Sequence, residues 1–112
     1  MLVSDRSRAA EMREYWEFPG GKLGRDESAG AALVRELREE LGISVDSFEH
    51  FHTLEHDYPQ FCVVIDFFLV TAWQGKPTGV EGQALRWIDP STAAPGLLLP
   101  ADAPVLDALQ NR

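Results

Sequence analysis

The clearest alternation of apolar and polar residues lies between positions 28 and 41. Turning by about 100° per residue places four apolar side chains on one stripe, namely Leu33, Val34, Leu37 and Leu41. Gly42 follows at a position typical of a helix C-terminus. The pattern therefore predicts an amphipathic helix from about Ser28 to Leu41 that buries one side.

The other apolar segments predict strands. Residues 61–73 are apolar on both faces, which is typical of a strand buried within a sheet. Weaker extended segments are expected at 1–5, 16–22, 48–57 and 84–88, and a second helix at 102–109. Pro19-Gly20-Gly21 predicts a tight turn. Strands around a main helix indicate one small α/β or α+β sandwich domain spanning residues 1–112.

Composition narrows the possible partners. With 112 residues and a net charge of -8, the chain lacks the basic surface that a nucleic-acid polymer requires. A small phosphorylated ligand remains possible, because a bound divalent cation reverses the local field. Cys62 is the single cysteine, so neither a disulfide nor a cysteine zinc site forms within the chain, and its apolar neighbours predict a buried thiol.

The first residues carry no apolar core of signal-peptide length, and no segment is long and apolar enough to span a bilayer. We therefore expect a cytoplasmic protein.

Three carboxylates are crowded on the predicted helix. Glu36, Glu39 and Glu40 lie within about one turn, where like charges repel. A solvated acidic face is the ordinary explanation of such a run. Here, however, the stripe adjoins the apolar side, and both Glu27 and a glycine-rich turn precede it. Oxygen ligands suit Mg²⁺, which joins carboxylates to substrate phosphates; a structural calcium site is the alternative.

The spacing of these residues resembles the Nudix box. The matching positions are Gly21, Glu27, Arg35-Glu36-Leu37, Glu39-Glu40 and Gly42-Ile43. The resemblance to the MutT-like branch of that family extends through WEFPGGK, GVEGQALRW and PADAPVLDAL. It implies an α+β Nudix fold (an α/β/α sandwich) with a mixed β-sheet, the box helix and a C-terminal helix. It also implies a hydrolase that converts nucleoside triphosphates to monophosphate and pyrophosphate.

The resemblance also implies a role for individual residues. Glu36 and Glu40 would be catalytic, Glu36 being the candidate general base. Mg²⁺, or Mn²⁺, would be held by the Gly20 carbonyl, Glu36, Glu39, Glu40 and Glu81. The substrate would be contacted by Arg6, Glu17, Phe18, Pro19, Gly20, Lys22, Tyr58 and Asp102.

Several of these residues have simpler interpretations. Arg6 and Lys22 taken singly would be surface charges, Glu81 a plain loop residue, Phe18 a core aromatic and Tyr58 a turn residue. Arg35 is expected to orient a neighbouring glutamate. The histidines at 50, 52 and 56 are expected to share one strand face and to be solvated rather than to bind a transition metal.

Two features depart from the MutT pattern. An Asn reads the base in enzymes that remove 8-oxoguanine nucleotides, whereas this chain has Asp102, which when ionised only accepts hydrogen bonds. An 8-oxoguanine nucleotide is still the first expectation. Asp would also suit the amino group of cytosine, so a CTP-like substrate or another nucleoside diphosphate derivative is the alternative.

The second departure is that MutT-like domains begin with a strand that this sequence does not match. Such a chain would have unpaired edges. We expect a fragment, a truncated gene model, or a homodimer completed by a partner strand, and an inactive nucleotide-binding module is the alternative function.

Overall fold

A computed structural model describes residues 1–20, 26–57, 59–60 and 62–112. Its strands are β1 (Leu2–Asp5), β2 (Trp16–Glu17), β3 (Ser44–Asp57), β4 (Cys62–Gln74) and β5 (Leu85–Trp87). Its helices are α1 (Ala29–Leu41) and α2 (Ala103–Gln110), and two single-turn 3-10 helices occupy Pro90–Thr92 and Pro100–Asp102. Each predicted strand and helix has a counterpart among these elements, and the α+β class is confirmed. Residues 21–22 of the predicted strand 16–22, and Gly21 of the predicted turn, lie outside the described residues.

The described strands form two sheets. β1 lies in the middle of the first sheet and pairs antiparallel with β2 and with β5. β3 and β4 form a long antiparallel hairpin. Parallel pairing among the described residues is confined to an isolated bridge between Trp16 and Leu98, so the mixed character expected of the sheet rests on this bridge.

Helix α1 begins and ends as its sequence predicts. The Ser28 side chain accepts a hydrogen bond from the Ala31 amide at 3.1 Å, which satisfies one of the free N–H groups of the first turn. Gly42 adopts φ +69° and its amide donates to the Arg38 carbonyl, a geometry that favours glycine. Leu37, Leu41 and Ile43 form the buried core cluster below the helix.

The burial predicted for residues 61–73 is wrong. β4 pairs only with β3 among the described strands, and Val64 remains 57% exposed. Cys62, expected to be buried, is exposed at the beginning of β4. β4 borders an open groove, and an apolar run does not show whether another element covers the strand.

The histidine prediction needs a similar correction. The β3–β4 register shifts between His50 and His52, so an extra residue is inserted there. His50 lies opposite Phe68 and His52 opposite Phe67, and consecutive strand residues point to opposite faces. The two histidines therefore lie on opposite faces. His50 contacts the side chains of Asp66 and Thr53.

An apolar groove of about 860 Å³ separates the hairpin from the first sheet. Strand residues from both sheets line it, including Leu2, Val70, Trp73 and Trp87. The two tryptophan rings stack with their centroids 6.3 Å apart. No helix in the described ranges is long and apolar enough to cross a membrane.

Candidate active site

The loop after β4 is attached to the C-terminal end of α1. The amide of Thr78 donates to the Leu41 carbonyl at 3.0 Å, and the amide of Val80 donates to the Glu40 carbonyl at 3.1 Å. The side chain of Gln83 donates to the same Glu40 carbonyl at 3.0 Å. These carbonyls have no partner within the helix because they belong to its last turn. The loop therefore places Glu81 beside Glu40, although 41 positions separate them in sequence.

Glu40 is half-buried and surrounded by other carboxylates. Burial raises its pKa to about 7, and the charges of Glu36, Glu81 and Glu17 act in the same direction. The Gly20 amide donates to Glu40 Oε2 at 3.0 Å, which opposes the increase. A cation placed here would favour the ionised form, since opposite charges lower a carboxyl pKa.

Arg35 links three acidic side chains. Its guanidinium binds both Glu27 oxygens, at 2.7 and 2.9 Å, and contacts Glu36 Oε1 at 2.9 Å. It also reaches Glu39 at 3.2 Å. The hydrogen bond that Arg35 donates to Glu27 is the largest cause that raises the Arg35 pKa. These contacts are those expected if Arg35 orients a neighbouring glutamate.

A polar cavity of about 420 Å³ lies between Glu40 and the loop that joins β1 to β2. Its lining contains carboxylates and guanidinium groups together, namely Asp5, Glu17, Glu40, Glu81, Arg6 and Arg8. Residues 17–20 line both this cavity and the apolar groove. This segment is therefore a shared wall, with a charged compartment on one side and an apolar compartment on the other.

Arg6 is committed to neighbours within the protein. Its guanidinium contacts Glu17 Oε2 at 2.6 Å, and it also donates to the carbonyls of Met12 and Glu11. Bonds to the chain thus occupy three of its nitrogens, and they fix the β1–β2 loop beside Glu17.

Asp102 lies on the groove side of the wall. It is only 7% exposed, and its side chain caps no helix amide. Burial raises its pKa to about 6; the charge of Glu17 adds to the increase and that of Arg6 opposes it. Phe18 and Phe67, which also line the groove, meet edge to face at 5.9 Å. The groove therefore combines aromatic surface with one buried carboxyl.

The donor types fit a hard divalent cation, because they are carboxylate and carbonyl oxygens. Glu40, Glu81 and Gly20 line the cavity, whereas Glu36 lines the groove. Glu39 lines neither and its side chain is 58% exposed. Over the described ranges, no three acidic, histidine or cysteine side chains converge closely enough to hold one ion. The carboxylates that the structure describes thus share one region but do not surround a single point.

The structure unites most of the substrate residues predicted from the sequence. Arg6 and residues 17–20 line the cavity, and Asp102 lines the groove. Lys22 and Tyr58 lie outside the described residues. Sequence reasoning missed Arg8 and Gln83. No sequence pattern distinguishes Arg8 from the other arginines. Gln83 lies within the GVEGQALRW segment that resembles MutT-like proteins, but the resemblance assigned it no role.

Comparison with known proteins shows the family of this chain. The NUDIX domain profile matches residues 1–109. The 8-oxo-dGTP diphosphatase of Escherichia coli (strain K12) is 36% identical over 111 residues, which are 99% of this chain and 86% of that protein. The CTP pyrophosphohydrolase of the same organism is 37% identical over 108 residues, 96% of this chain and 80% of that protein.

A solved MutT structure, from work on the Aliivibrio salmonicida and Vibrio cholerae proteins, gives a TM-score of 0.84 at 35% identity. It covers 100% of this chain and 84% of the other. Motif, fold and sequence agree over almost the whole length, and this chain therefore belongs to the Nudix family of hydrolases.

Proposed function

We propose that this Nudix hydrolase converts nucleoside triphosphates to monophosphate and pyrophosphate with Mg²⁺ or Mn²⁺, as its MutT relatives imply. The observation that carries the proposal is the shared wall at residues 17–20, which joins a carboxylate- and arginine-lined cavity to an apolar groove. A nucleotide has the same division, since its phosphates are charged and its base has flat aromatic faces that pack against apolar surface.

The residues would divide the chemistry as follows. Glu40 and Glu81, with Glu36, Glu39 and the Gly20 carbonyl, would hold the cation, which when bound neutralises charge on the phosphates. Glu36 would accept the proton of the attacking water. Its contact with Arg35 supports this role because a fixed carboxylate keeps the geometry that proton transfer needs.

The base would lie in the groove beside Asp102. An 8-oxoguanine nucleotide is the first candidate, because the 8-oxo-dGTP diphosphatase relative covers nearly the whole chain. Hydrolysis of such nucleotides would remove oxidised precursors of DNA. A cytosine nucleotide is the second candidate, since an ionised Asp102 accepts from an exocyclic amino group and a CTP pyrophosphohydrolase is similarly related.

A panel of triphosphates tests the proposal. Purified protein with Mg²⁺ is given 8-oxo-dGTP, dGTP, dCTP and CTP, and the products are resolved by anion-exchange chromatography. We expect monophosphate and pyrophosphate in equal amounts, and loss of turnover by a factor of roughly 10² or more in Glu36→Gln and Glu40→Gln. Full activity in both variants would overturn the assigned chemistry.

An inactive nucleotide-binding module is the competing proposal. It predicts tight triphosphate binding with Mg²⁺ but no products, so calorimetry on the same panel separates the two. A substrate such as a nucleoside diphosphate sugar would instead give a monophosphate and a sugar phosphate.

The homodimer and the cytoplasmic location stay predictions. The homodimer is supported by the free edge of β4, whose described residues pair on one edge only; a strand from a second copy would pair there. Light scattering after size exclusion, over a range of concentrations, tests this: a monomer at all of them would contradict it.

A further inference from the structure

Arg8 makes fewer hydrogen bonds to the protein than Arg6, the other described arginine that lines the polar cavity. Arg8 Nη1 donates to the carbonyl of Glu81, and no carboxylate among the described residues pairs with Arg8. Arg6, by contrast, spends three nitrogens on Glu17, Met12 and Glu11. A guanidinium has five N–H donors, so Arg8 keeps most of its donors available.

The surroundings fix where this group lies. The Arg8 guanidinium passes over Gly82, where an added Cβ would be only 2.8 Å from Nη1. Gly82 also has φ +85°, a conformation that side chains disfavour. The Glu81–Gly82 turn therefore leaves room for Arg8 and supplies the carbonyl that anchors it.

The two compartments indicate which part of a bound nucleotide Arg8 would face. Arg8 lines the cavity but not the groove, whereas residues 17–20 line both. A nucleotide with its base beside Asp102 passes its phosphates over the shared wall into the cavity. Arg8 then lies beyond the wall, next to Glu81, where the chain of phosphates ends.

We propose that Arg8 binds the terminal phosphate of the substrate and so makes this site selective for triphosphates over diphosphates. The inference rests on the proposed function. A guanidinium binds phosphate through paired, charge-assisted hydrogen bonds, and Arg8 has donors for them while Nη1 stays on the Glu81 carbonyl.

The test compares Arg8→Ala with wild type in calorimetric binding of two probes in Mg²⁺: a non-hydrolysable α,β-imido nucleoside triphosphate and the matching α,β-imido diphosphate. We expect the triphosphate affinity to fall by roughly 10- to 100-fold, as for loss of a charge-assisted bond, and the diphosphate affinity to change by less than about twofold. Arg13→Ala is the matched control, because Arg13 belongs to the same loop, is exposed, and donates to Ala9 without lining the cavity.

Two results would overturn the inference: unchanged triphosphate binding, or an equal loss for both probes. The second would mean that Arg8 merely tethers the Glu81 loop. KM and kcat give an independent check, since a terminal-phosphate contact raises KM for triphosphates more than it lowers kcat, whereas a displaced Glu81 lowers kcat. If wild type binds the probes but yields no product, the proposed hydrolysis fails while the binding ratio still decides the role of Arg8.

Discussion

Replacing Asp102 by Asn should stabilise the protein at neutral pH and leave it nearly unchanged in acid. Asp102 is buried, and its pKa is about 6 instead of the ordinary 3.8. A raised pKa means that the folded state favours the neutral carboxyl. Its contribution to stability is therefore complete below pH 4 and is lost as the pH rises through 6. Asn is uncharged throughout and has nearly the same shape.

The magnitude follows from the two pKa values. A difference of one pKa unit corresponds to 1.36 kcal/mol, so ionising Asp102 in the folded protein costs about 3 kcal/mol at pH 8. Asp102→Asn should recover up to this amount at pH 8 and close to none at pH 4. For a domain of this size, the gain corresponds to a rise in Tm of roughly 10 °C.

Urea unfolding of wild type and variant at pH 4, 5, 6, 7 and 8 measures the difference. Asp107→Asn is the control, because this aspartate is exposed on α2, the helix that begins directly after Asp102. Its effect should stay within about 0.5 kcal/mol at each pH. A gain that does not vary with pH, or a loss at pH 8, would refute the reasoning, since either would mean that burial of charge does not govern Asp102.

The same carboxyl predicts a pH-dependent base preference: because the neutral form gains an O–H donor, the ratio of kcat/KM for 8-oxo-dGTP to that for dCTP should rise roughly tenfold from pH 8 to pH 5.5. The ratio should be flat in Asp102→Asn, and a parallel slope in both proteins would contradict the assignment. Gln83→Leu removes the hydrogen bonds to the Glu40 carbonyl and from the Glu81 amide, so we expect the free energy of unfolding to fall by about 1–2 kcal/mol. We also expect kcat to fall at temperatures where the variant is still fully folded, because the loop that carries Glu81 loses this link. Unchanged kcat would show that the loop does not need the link. Gly42→Ala should lower the free energy of unfolding by about 1–2 kcal/mol because φ is +69° there, and Gly42→Asn, which tolerates this conformation better, should lose less.

Sequence alone determined the local features of the molecule. Helix α1, its Gly42 end and its apolar stripe follow from side-chain spacing and backbone preference, which act over a few residues. The acidic box does too, because Glu36, Glu39 and Glu40 share a turn wherever that helix lies. The expectation of a bound divalent cation came from the same stretch, since crowded carboxylates suit a hard cation.

Tertiary structure decided what depends on contacts between distant segments. The apolar run at 61–73 predicted burial, yet β4 borders an open groove, because hydrophobicity does not specify whether another element covers a strand. The bulge after His50 reversed the expected face of His52, since register is set by pairing with β4. Arg8 and Gln83 became candidates only because loops far apart in sequence meet at Glu40 and Glu81. Asp102 was expected from the sequence, but the burial that raises its pKa depends on the packing. Long-range approach of this kind arises from the packing of the whole chain, and no spacing within one segment encodes it.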